Sequence, residues 1–72
     1  MTQQNFNKLG DFCFHNNIEA YASDDGLVIK TSSNWVIVPT GNKPIKRTSN
    51  PPIKNPSGRG RAITENELSK FM

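Results

Sequence analysis

Few residues in the chain have the reactivity to carry a reaction. There is one cysteine, Cys13, and one histidine, His15, two positions apart. On a helix that spacing turns the two side chains in different directions, whereas a thiol–imidazole nucleophile needs them in hydrogen-bond contact. Cys13 therefore reads as a buried apolar side chain and His15 as a solvent-facing one. Two ligands at this spacing are too few for a zinc site. Asp24 and Asp25 are adjacent and followed by Gly26. Asp is favoured in such turns for its backbone hydrogen bonds, so both read as ordinary solvated acids and not as an acid–base pair. The sequence has no alternating oxygen ligands of the calcium-loop kind. Gly58 and Gly60 do not lie between a strand and a helix, as a phosphate-cradling loop requires. The expectation is a non-enzymatic protein with no catalytic constellation, no metal and no cofactor.

The chemistry that the sequence does offer is electrostatic. The net charge of +3 over 72 residues is unevenly spread. Residues 1–40 hold Lys8 and Lys30 against Asp11, Glu19, Asp24 and Asp25. Residues 41–63 hold Lys43, Lys46, Arg47, Lys54, Arg59 and Arg61 and no acid, and residues 64–72 hold Glu65 and Glu67 against Lys70. A basic block beside an acidic half points to an anionic partner. Nucleic acid, DNA or RNA, is the expected one, with those six cations as phosphate contacts. In the stretch Ser57-Gly58-Arg59-Gly60-Arg61, glycine permits close backbone approach and arginine is drawn to narrow minor grooves. Arg-Gly segments also bind RNA or single strands with little sequence preference. Arg59-Gly60-Arg61 resembles the Arg-Gly-Arg core of AT-hook peptides, which insert arginines into the minor groove of A·T-rich DNA. The likeness covers three residues, and Ala62 stands where those hooks carry proline. The competing reading of the same stretch is a glycine hinge before the last helix.

The elements that must position these residues follow from periodicity. Phe6, Leu9 and Cys13 recur at helical spacing, which predicts a helix from Thr2 to about Asn16, with Phe12 widening its apolar stripe. Asn16-Asn17 suits its end, because Asn tolerates the left-handed conformation. Gly10 weakens this helix, and the rival pattern has Phe12 and Phe14 alternating on a strand. Ile18 to Ser23 alternates as a strand, with Ile18, Ala20 and Ala22 on one face and Glu19 and Tyr21 on the other. Asp24-Asp25-Gly26 makes a tight turn, Leu27 to Thr31 returns, and Ser32-Ser33-Asn34 turns again. Trp35 to Val38 is the third strand, ended by Pro39. The expected fold class is thus α+β: an N-terminal helix on a three-stranded antiparallel meander over residues 1–40. An extended basic, Pro/Gly-rich arm follows over 41–63. A short C-terminal helix spans about 65–71, started by a capping box at Thr64 and Glu67. Such a short helix forms only when docked, and Leu68, Phe71 and Met72 are the side chains to cap the open sheet face.

Three features bear on partners. Trp35-Val36-Ile37-Val38 is a continuous apolar run, which implies burial on both faces. One helix covers one face, so the other calls for the C-terminal segment, a second copy in a homodimer, or a partner protein. All five prolines fall within 39–56, and Pro44-Ile45-Lys46 echoes Pro52-Ile53-Lys54. Such an arm presents Ile45 and Ile53 outward with little entropy left to lose, or uses them to pin itself to its own sheet. Trp35 reads as core, and Tyr21 as an exposed candidate for base stacking. A second function class follows: a protein-binding inhibitor or modulator acting on a host or partner protein through Tyr21, the sheet face, Ile45 and Ile53. Short, Asn-rich chains without catalytic residues are the kind that phages and mobile elements encode for such tasks. A lone thiol suits a reducing compartment, no apolar run reaches membrane-span length, and the expected location is the cytoplasm.

Overall fold

The structure, a computed structural model, describes residues 2–41 and 43–71. Helix α1 spans Gln3–His15. The Thr2 hydroxyl accepts from the Asn5 amide at 3.1 Å, which satisfies a donor that the first turn otherwise leaves open. Asn16 closes the helix by donating to the Phe12 carbonyl with its backbone at 3.0 Å and its side chain at 2.9 Å. Asn17 then takes φ +60, the left-handed turn-off expected of Asn. The helix runs through Gly10, so Phe12 and Phe14 do not alternate on a strand.

The sheet has four antiparallel strands in the order β1-β2-β3-β4: Ala20–Ser23, Gly26–Lys30, Trp35–Val38 and Lys46–Thr48. The sequence-based expectation of three strands is corrected by β4, which pairs Trp35 with Thr48, Val36 with Arg47 and Ile37 with Lys46. The physical reason is backbone chemistry. The outer edge of β3 carries peptide groups that need partners, and the stretch between Pro44 and Pro51 keeps every N–H. Residues 46–48 are thereby held as an edge strand and do not extend away from the body. Gly26 is required where β2 begins: its φ is +128, and a Cβ there would lie 2.1 Å from the Val38 carbonyl oxygen.

Register divides the side chains between two faces. Ala20, Ile29, Val36 and Arg47 share one row, and Tyr21, Val28, Ile37 and Lys46 share a row on the opposite face. The first face meets the helices. Ile29, Val36 and Val38 join Leu9, Cys13, Ile18, Ile63 and Leu68 in the core, with Phe6, Phe12, Leu27, Ile45 and Phe71 packed around them. The second face is covered in part: Val28 is 1% exposed and Trp35 7%, while Tyr21 and Ile37 are half-buried. The chain beyond β4 returns to this face, where Ser57 meets the hydroxyl of Tyr21.

The C-terminal part completes the body. Beyond Glu19 and Lys30, still joined by the Lys30 N–H to the Glu19 carbonyl at 3.0 Å, the two segments part, and residues 61–63 enter the fork. Glu19 N–H donates to the Arg61 carbonyl and Arg61 N–H to that of Asn17, both at 2.9 Å; Ile63 N–H donates to Lys30, also at 2.9 Å. Both pairings are parallel, Ile18 with Arg61 and Thr31 with Ile63. Gly60 permits this entry: its φ is +93, and a Cβ would stand 2.8 Å from the Asn17 carbonyl oxygen. Helix α2 follows at Glu65–Ser69 with both halves of the predicted capping box formed. It buries Leu68 in the core and brings Phe71 to 5.4 Å from Phe12, ring centre to ring centre. Met72 lies outside the described residues. Among the described residues, no helix is long and apolar enough to cross a membrane.

Candidate nucleic-acid interface

The six basic side chains singled out in the sequence are all exposed, but they sit in three different settings. Lys43 and Lys46 line a cavity of about 270 Å³ beside the β1–β2 turn. Asp24 and Asp25 line it too, together with Ile37, Pro39, Thr40 and Pro44. This corner therefore presents both signs of charge. Lys54 and Arg59 lie on the irregular stretch after β4, and among the described residues neither makes an ion pair. Gly58 and Gly60, both at positive φ, flank Arg59. The Arg59 amide is tied to the Ser57 hydroxyl at 3.3 Å, while its guanidinium remains in solvent.

Arg47 and Arg61 are engaged within the molecule. Arg47 meets Glu65 through two parallel bonds of 2.9 and 3.0 Å. Arg61 meets Glu67 in the same fork-to-fork way at 2.8 and 2.9 Å. Arg61 also donates from Nε to the Asn16 carbonyl at 3.2 Å and from Nη1 to that of Ala62 at 3.3 Å. Its pairing with Glu67 pushes the guanidinium pKa further up. The Arg61 bonds, helped by the Thr64 amide, hold the Glu67 carboxyl at about 2, well below its usual 4.5. The two arginines were expected as equals of the other cations. Their partners lie in the capping-box segment, whose carboxylates read as helix-starting residues and gave no sign of which arginine they would meet.

The residues of the protein-binding alternative are placed as follows. Ile45 is half-buried against the core, and Ile53 is half-buried on the stretch after β4. Tyr21 is half-buried rather than exposed, with Trp35 at 6.2 Å beside it. Its hydroxyl donates to Glu19 Oε2 at 2.7 Å and accepts from the Ser57 amide at 2.8 Å. With the tyrosine proton committed to Glu19, the Ser57 hydroxyl at 2.9 Å acts as the donor to Tyr21. Tyr21 thus fastens the returning chain to the sheet. Glu19 is 4% exposed; among the described residues its Oε1 has no hydrogen-bond partner, and it lies 3.8 Å from Lys30 Nζ. Its place on the Tyr21 face was legible from alternation, but its burial and its meeting with Lys30 were not.

The reactive residues are where helical geometry puts them. Cys13 is buried, and burial first, the Glu67 carboxylate second, pushes its thiol up to about 11. His15 is exposed and sets its ring edge-on to Phe14, with centroids 5.5 Å apart. Phe14 itself is 83% exposed, at the mouth of a groove between α1 and β1 lined by Gly10, Cys13, Asn17, Ala20, Ala22 and Leu27. Neither the helical stripe nor the charge pattern singled Phe14 out. Among the described residues, no group of three or more His, Cys, Asp or Glu side chains is placed to hold a metal ion. The arrangement presents six exposed cations, two of them ion-paired within the molecule, and, among the described residues, one large exposed apolar side chain, Phe14. Comparison with protein-family models, with curated proteins and with solved structures gives no match to this chain.

Proposed function

We propose that this is a small non-enzymatic protein of the cytoplasm that binds nucleic acid through the basic segment 41–63. The observation that carries the reading is that all six cations of an acid-free stretch are exposed at once. A phosphate backbone meets such a surface without base recognition and releases counterions as it does so. Lys54 and Arg59 reach phosphates with no rearrangement, and the glycines around Arg59 let the backbone come close to a groove or a single strand.

The test is a fluorescence-anisotropy titration with duplex DNA, single-stranded DNA and RNA. At about 50 and 200 mM salt, neutralisation of about four to six phosphates separates the two affinities by roughly two to three orders of magnitude. Replacing Lys54 and Arg59 by Ala should weaken binding. On duplex DNA it should also lower the log–log salt slope by about 0.9 for each phosphate left unneutralised. Absence of binding at low salt to any of the three ligands sinks the reading.

Phe14 favours a second reading. A large apolar side chain 83% exposed beside a groove suits a protein partner, as in a phage-type modulator of a host protein. On this reading Phe14→Ser abolishes partner binding and leaves nucleic-acid affinity unchanged.

A further inference from the structure

We propose that Glu65 gates the basic surface: its carboxylate occupies the guanidinium of Arg47 in the free protein, and a nucleic-acid phosphate must displace it. The inference rests on the nucleic-acid reading and assigns that surface an internal competitor. The two-bond geometry between Arg47 and Glu65 is the same fork that arginine offers a phosphate, so carboxylate and phosphate exclude one another there.

The neighbouring pair shows why the gate is at Arg47 and not at Arg61. The Glu65 side chain is 61% exposed and that of Glu67 only 22%. Glu67 has other ties: its Oε1 also accepts the Thr64 amide at 3.1 Å in the capping box. Arg61 is likewise held by the Asn16 and Ala62 carbonyls, while its own backbone sits in the fork between β1 and β2. Opening that pair disturbs a helix start and a strand pairing. Among the described residues, the Arg47 and Glu65 side chains make hydrogen bonds only to each other. An ion pair this exposed is weak, so displacing Glu65 leaves the fold intact. Arg47 therefore joins the binding surface on demand, and Arg61 serves as a bolt between the C-terminal segment and the body.

The experiment is a double-mutant cycle on the full chain, read by anisotropy with the same DNA and RNA probes. Glu65→Gln should tighten binding by about two- to five-fold, the range that an exposed pair permits. In an Arg47→Ala background the same change should give no such gain, because no guanidinium is left to release. Asp11→Asn, on the exposed side of α1, removes the same charge elsewhere and measures the general Coulomb effect. Circular dichroism establishes that each variant is folded. Equal gains from Glu65→Gln and Asp11→Asn, or an undiminished gain without Arg47, overturn the gate while leaving nucleic-acid binding in place. No binding by any variant at low salt overturns both.

Discussion

The two faces of the sheet are covered by different chemistry, the second of them only in part. The face of Ile29, Val36 and Val38 lies under two helices and is sealed by Leu9, Cys13, Ile63, Leu68 and the phenylalanines around them. The face of Tyr21, Val28 and Trp35 meets the chain after β4, which is fastened by hydroxyls at Tyr21 and Ser57 over a buried Glu19. The first cover draws on apolar area, about 25 cal/mol per Å² removed from water. The second buries less apolar area, chiefly Val28 and Trp35, and adds hydrogen bonds with a modest net value each, about 1 kcal/mol. Stability should therefore reside in the helix side. The chain after β4 also carries Lys54 and Arg59, which make no ion pair among the described residues.

The sharpest way to break that contrast is to empty the helix side. Leu68→Ala or Ile63→Ala should cost about 2–5 kcal/mol, because each leaves a void among fully buried neighbours; urea unfolding with an unchanged slope would measure it. Gly60→Ala tests the entry of the C-terminal segment. A methyl 2.8 Å from the Asn17 carbonyl oxygen, at φ +93, should destabilise by roughly 1–3 kcal/mol. Tyr21→Phe probes the polar side. It strands Glu19 Oε2 and the Ser57 amide and should cost about 1–2 kcal/mol. Hydrogen exchange at Ser57 should accelerate while that of β2 and β3 changes little. A Tyr21→Phe effect as large as that of Leu68→Ala would erase the distinction between the faces.

Acid provides a smaller effect. Glu67 in the folded protein titrates at about 2 against an ordinary 4.5. Its folded pKa is depressed, so its contribution is complete above the unfolded value and is lost as pH falls from about 4.5 towards 2. Carboxyl chemical shifts followed by NMR should place its midpoint at about 2, and Arg61→Ala should move that midpoint up. The least effect on stability belongs to Lys54→Ala, within about 0.5 kcal/mol.

The sequence spoke clearly where local rules operate. Phe6, Leu9 and Cys13 at helical spacing marked α1, the alternation of Ile18 to Ser23 assigned the faces of β1, and Thr64 with Glu67 marked the start of α2. The unbroken apolar run of β3 announced that a second cover must exist. Strand β4 was hidden because Lys46-Arg47-Thr48 has no apolar alternation and is bracketed by prolines; it is held by backbone pairing to β3, and charge on an edge strand is how sheets guard against further pairing. The arginine pairs were hidden for another reason. Arg47 and Glu65 meet because pairing with β3 puts Arg47 on the sheet face that α2 covers, and no local pattern records such a meeting. Of the candidate site, the exposure of its cations was legible and their division into engaged and unpaired was not.

The entry of residues 61–63 between β1 and β2 sets the order in which the molecule can come into being. Ile63 and Leu68 are core residues, yet they are synthesised well after the strands they cover. As the chain grows, Ile29, Val36 and Val38 emerge with only α1 to cover them, without Ile63 and Leu68, and the fork at Ile18 and Thr31 stands open. Pairing across so much intervening chain is slow compared with helix or hairpin formation. The nascent protein must therefore wait, with an unfinished apolar face, until residues 61–68 are free to close it.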